Sequence, residues 1–108
     1  MPEPTWVRVC RRSDLHDGEG VALTLAGERI ALFLSGNDVY AVEDRCPHRG
    51  APLSKGLLHD RCYVACLDHG WSVSLTDGQA QPPEHGQVRT YPVQIVDGEV
   101  LVAIPSAV

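Results

Sequence analysis

Apolar residues along this chain fall in short runs: Val21 to Leu25, Ile30 to Leu34, Val39 to Val42, Tyr63 to Cys66, Trp71 to Leu75, Thr90 to Val96 and Val100 to Ile104. Turn-forming residues separate them at Asp17-Gly18, Ala26-Gly27, Ser35-Gly36-Asn37-Asp38, Asp77-Gly78 and Asp97-Gly98. Runs this short between Gly and Asp turns predict strands of an antiparallel all-β sandwich or barrel. Asp97-Gly98 between two apolar strands predicts a type I′ hairpin, because both turn residues need positive φ. Helical periodicity is nearly absent; Ser13 is expected to cap a single turn at Ser13-Asp14-Leu15. Residues 44–56 and 76–87 hold too much Pro, Gly and polar character for core strands. With the loop at 67–70, they are where function would sit on a rigid β scaffold.

Length and charge narrow the class. The chain has 108 residues, which predicts one domain over residues 1–108 with one modest core. Nine basic residues against fourteen acidic ones leave a net charge of −5. That balance excludes the basic footprint a nucleic-acid binder needs. The acidic residues are scattered, which reads as a solvated surface or as a face that docks on a basic partner. No apolar run approaches the roughly 18 residues of a membrane span. Met1-Pro2-Glu3-Pro4 has no basic start and no apolar stretch of a signal peptide, so a cytoplasmic location is expected.

Four cysteines and five histidines in so short a chain point to metal or redox chemistry in a reducing compartment. Their arrangement is Cys46-Pro47-His48, seventeen residues, then Cys66-Leu67-Asp68-His69. Each loop therefore offers one thiolate and one imidazole. A single tetrahedral Zn²⁺ is one candidate occupant, although zinc spacings usually pair Cys with Cys and His with His. The other is a [2Fe–2S] centre in which two cysteines hold one iron and two histidines the other. There each loop must reach both irons, and the order Cys, His, Cys, His follows from that geometry. Cys10 and Cys62, in apparent strands, read as buried small hydrophobes. His16, His59 and His85, in polar turns, read as solvated.

At these residues the chain resembles the Rieske ferredoxins and Rieske subunits. Cys46-Pro47-His48-Arg49-Gly50-Ala51-Pro52-Leu53-Ser54-Lys55-Gly56 resembles the first cluster loop of that family. Cys66 to Trp71 resembles the second, and Gln81-Pro82-Pro83 resembles the proline loop that covers the cluster. The resemblance spans about Trp6 to Ile104 and implies a Rieske-type β sandwich or barrel with a cluster-binding loop subdomain. It implies one [2Fe–2S] cluster, with Cys46 and Cys66 on the inner iron and His48 and His69 on the outer, redox-active iron. Gly50 and Gly70 would let backbone N–H groups approach the sulfurs.

Relatives with a stapling disulfide carry two further loop cysteines, where this chain has Ala51 and Asp68. High-potential relatives also place hydroxyl donors shortly after the second histidine, where this chain has Trp71 and Val73. A potential toward the low end of the Rieske range, about −150 to +300 mV, is therefore expected. Leu67-Asp68 also departs from the proline common after the second cysteine.

So small a chain with such a cluster is expected to relay single electrons from NAD(P)H to a terminal oxidoreductase, with no substrate site of its own. Two groups of relatives fit. The small subunit of assimilatory nitrite reductase is matched by Ile30-Ala31-Leu32-Phe33, His69-Gly70-Trp71, Gly78 to Pro83 and Val88 to Val93. Its partner would be the large subunit of that enzyme. The ferredoxin of a multicomponent aromatic-ring dioxygenase is the alternative, with a flavin-containing reductase and a terminal oxygenase as partners.

Overall fold

The run from Ile30 to Leu34 is apolar at every position, and the fold covers both of its faces. The computed structural model describes residues 5–47, 52–66, 71–82 and 86–104. Its strands are β1 (Thr5–Arg11), β2 (Gly20–Leu25), β3 (Glu28–Ser35), β4 (Asp38–Glu43), β5 (Leu57–His59), β6 (Tyr63–Ala65), β7 (Ser72–Ser74), β8 (Thr90–Tyr91), β9 (Val93–Val96) and β10 (Glu99–Ile104). They form three sheets, ordered β1-β10-β9, β2-β3-β4-β8 and β5-β6-β7, and every pairing between them is antiparallel.

The four-stranded sheet is the middle layer. Successive side chains of a strand point to opposite faces. Ile30, Leu32 and Leu34 of β3 therefore join Ala41, Tyr91, Val100, Val102 and Ile104 in a core against the β1-β10-β9 sheet. Ala31 and Phe33 turn the other way, into a second core with Val42, Val64, Val73, Cys46 and Cys66. A strand buried on both faces loses its alternation in sequence, which is why this run reads as continuously apolar.

The β9–β10 hairpin is the predicted one: Asp97 has φ 52° and Gly98 φ 79°. Three local expectations need correction. The run Thr90 to Val96 is two strands, because Pro92 has no N–H for a ladder and the chain changes sheets there. The single turn is a 3₁₀ turn over Arg12–Asp14. Its cap is the Asp14 carboxylate, which accepts the Arg11 N–H at 3.0 Å; Ser13 lies inside the turn, where it cannot cap. Cys62 sits in a turn before β6 rather than in a strand. It and Cys10 are half-buried rather than buried. No helix among the described residues is long and apolar enough to cross a membrane.

Candidate metal centre

Two loops leave the second core. The first runs from the end of β4 to the start of β5 and carries Cys46. The second joins β6 to β7 and carries Cys66 at its mouth. Both thiols are excluded from solvent, at 0% and 1% exposure, in the same apolar core as Phe33, Leu53, Val64 and Val73. They lie twenty positions apart in sequence, so the tertiary fold brings them into one core. None of the four cysteines is in a disulfide.

Each loop is closed by hydrogen bonds at its base. In the second, the Cys66 N–H donates to the Trp71 carbonyl at 2.7 Å, and the half-buried Trp71 side chain packs against the core that holds both cysteines. In the first, the buried Asp44 carboxylate takes two hydrogen bonds from Ser54, its backbone N–H at 2.7 Å and its hydroxyl at 2.8 Å. A third segment leans on the first loop. The Ala80 N–H donates to the Gly86 carbonyl at 2.9 Å, and a Cβ on Gly86 would lie 2.6 Å from Cβ of Pro47. Only glycine allows that approach. Pro82 is an exposed turn residue on the same segment.

Of the four residues expected to hold metal, the structure places Cys46 and Cys66. His48 and His69 lie outside the described residues, as do Gly50, Ala51, Leu67, Asp68, Gly70, Pro83 and His85. Among the described residues no group of three or more His, Cys, Asp or Glu side chains is placed to hold a metal ion. The cysteine pair suits an iron–sulfur centre, because the two buried thiols share one apolar core that shields them from solvent. Cys10 is a poorer ligand: burial first, then the nearby Asp14 carboxylate, push its thiol above the ordinary range, so less of it is thiolate.

His59 is exposed, as the sequence reading has it, but it ends β5 rather than lying in a turn, and its ring has fixed partners. Its Nδ1 lies 3.0 Å from Asp60 Oδ2 and its Nε2 2.9 Å from Ser72 Oγ. Its ring stacks on Tyr63 with centroids 5.6 Å apart. A carboxylate only accepts, so in the neutral ring Nδ1 carries the hydrogen and Nε2 accepts from the Ser72 hydroxyl. Sequence reasoning missed both this network and the Asp44–Ser54 bridge. Neither has a spacing signature, because the Ser54–Asp44 and His59–Ser72 bonds each join residues ten or more positions apart.

A family model described as Rieske [2Fe–2S] domain matches residues 5–92. The 3-phenylpropionate/cinnamic acid dioxygenase ferredoxin subunit of Escherichia coli (strain K12) is 34% identical over 102 residues, which is 94% of this chain and 95% of that protein. Among solved structures, one described as an NADH-dependent nitrite reductase small subunit from Mycobacterium tuberculosis superposes with a TM-score of 0.90 at 27% identity, covering 98% of this chain and all (100%) of that one. A chain in the solved complex of reduced oxygenase and oxidised ferredoxin of carbazole 1,9a-dioxygenase superposes at 0.81 with 30% identity. It covers 90% of this chain and 100% of its own.

Proposed function

This chain belongs to the Rieske [2Fe–2S] domain family and is a one-electron carrier with one [2Fe–2S] cluster; we propose that Cys46 and Cys66 hold its inner iron and His48 and His69 its outer one. The observation that carries this is the convergence of two buried thiols, twenty residues apart, from two loops closed at their bases. Such a cluster takes up and releases one electron at a time. The chain's own contribution is to keep water from the thiolates and to set the hydrogen bonds around them.

The potential is low within the family. Hydroxyl donors to cluster sulfurs would stabilise the reduced state, and the hydroxyl nearest the second loop, Ser72, is already committed to His59. Val73 beside it is fully buried and donates nothing.

The carrier serves as the small subunit of an assimilatory NAD(P)H-dependent nitrite reductase in the cytoplasm, passing electrons to the large subunit. The end-to-end superposition on the nitrite reductase subunit supports this. A second reading has its own support in sequence identity to a dioxygenase ferredoxin subunit: a shuttle between a flavin-containing reductase and a terminal oxygenase.

Optical and electron paramagnetic resonance spectra of the purified protein, oxidised and dithionite-reduced, test the centre. The expected result is a red-brown protein whose reduced form has the low average g of mixed His/Cys ligation. His48→Ala and His69→Ala abolish the visible spectrum, while His59→Ala retains it. A colourless protein holding one zinc per chain would overturn the reading. Reconstitution then separates the partners: the reduced carrier supports either nitrite reduction by the large subunit or oxygenation of an aromatic ring by the oxygenase.

A further inference from the structure

Asp44 is a carboxylate in a place where burying one is costly: it is 3% exposed, and a buried charge persists only where hydrogen bonds replace water. Carrying an electron does not require it. Both oxygens nevertheless act as acceptors, Oδ1 from the Ser54 N–H at 2.7 Å and Oδ2 from the Ser54 hydroxyl at 2.8 Å. Two donors directed at one carboxyl group suit the anion, and bonds to an anion are roughly twice as strong as neutral ones. Arg29 and Lys55 line the small cleft beside Asp44, with no carboxylate within ion-pair distance among the described residues.

Both ends of this bridge are anchored. The Asp44 N–H donates to the Arg29 carbonyl of β3 at 2.9 Å, which ties Asp44 to the middle sheet. Ser54 lies in a second 3₁₀ turn, Leu53–Lys55, and Leu53 is fully buried in the core that holds Cys46 and Cys66. Behind Ser54, β2 presses so close that a Cβ on Gly20 would lie 2.3 Å from the Ser54 carbonyl oxygen. One carboxylate thus holds together the two ends of the span 44–54, which contains Cys46 and His48.

We propose that Asp44 is a positioning residue of the metal centre: bonded to Ser54, it closes the base of the first loop, and its fixed negative charge lowers the reduction potential. This rests on the [2Fe–2S] reading of the site. The sign follows from electrostatics, since reduction adds an electron and a nearby buried anion destabilises the reduced state more than the oxidised one.

The test compares Asp44→Ala, Asp44→Asn and Ser54→Ala with wild type, and uses Asp97→Asn, in the distant β9–β10 turn, as the control. The readouts are hydrogen–deuterium exchange of peptides spanning 44–56, iron release to a ferrous chelator, and the reduction potential. Asp44→Ala exchanges faster across 44–56 and releases iron about 10–100-fold faster. Ser54→Ala does the same to a smaller degree. Asp44→Asn keeps an acceptor for the Ser54 N–H and turns its amide toward the Ser54 oxygen. It therefore retains iron close to the wild-type rate while its potential rises.

If Asp44→Ala does not fold, the other two variants carry the test. Exchange and iron release in the Asp44 and Ser54 variants equal to those of the Asp97→Asn control overturn the clamp. An unchanged potential in Asp44→Asn overturns the electrostatic half. If wild type holds no iron yet 44–56 is protected only while Asp44 is intact, the clamp stands, and the potential claim falls with the cluster reading.

Discussion

Tyr91 shows what burial does to one titratable side chain in this fold. Its phenol is 5% exposed and is pushed up to about 12, chiefly by burial and then by the Glu28 carboxylate. The folded state therefore holds the phenolic proton over a range where the unfolded chain, near 10, has lost it. That contribution is fully present below pH 10 and is lost as pH rises through 12. A shift of this size is worth on the order of 2 kcal/mol. Denaturant midpoints measured from pH 9 to 12 should fall in wild type and fall less in Tyr91→Phe. Some slope remains in that variant, because burial also raises Tyr40 and Cys10. An identical slope in the two proteins would rule Tyr91 out as the source.

Between elements, β3 couples two cores that do different work. Phe33 and Leu32 are both fully buried, so Phe33→Ala is expected to cost about 3–5 kcal/mol and Leu32→Ala about 2–5. Only Phe33 shares its core with Cys46 and Cys66; Leu32 packs toward β10. Both variants should therefore lower the unfolding midpoint, and Phe33→Ala alone should also speed iron loss under conditions where the protein stays folded. Equal iron retention in the two would mean that the cores are not separable in this way. The apolar run of β3 was legible from sequence, whereas β5 was not. β5 is three residues long and begins with Leu57, 64% exposed, so it has no buried pattern of its own and exists by pairing with β6. Pro92 divides β8 from β9 for a reason visible in the sequence, the missing N–H, but the sheet the chain crosses to is a tertiary matter.

For the molecule as a whole, the relevant quantity is the field it presents to a partner. Net charge is −5, and Arg8, Arg11, Arg45 and Arg89 already lie opposite Glu99, Glu43 and Glu28. These exposed pairs add little stability, but they neutralise basic groups and leave the outward field acidic. Electron transfer to a partner with a basic docking face should then be steered electrostatically. Its second-order rate, followed by stopped-flow absorbance, is expected to fall as ionic strength rises. A rate indifferent to salt would count against steering.

The sequence alone determined the β class, the hairpin at Asp97-Gly98 and the four candidate ligands, because each is written in local spacing: apolar run length, turn residues, and Cys-x-His with Cys-x-x-His. Spacing could not show which polar residues the fold would give fixed partners. Asp44 reads as one more surface acid and His59 as a solvated turn histidine, until the fold places Ser54 against one and Ser72 against the other. The tertiary structure also decided that β3 is covered on both faces and that Cys46 and Cys66 share one dry core. Those are properties of contacts between segments distant in sequence, and no local pattern encodes them.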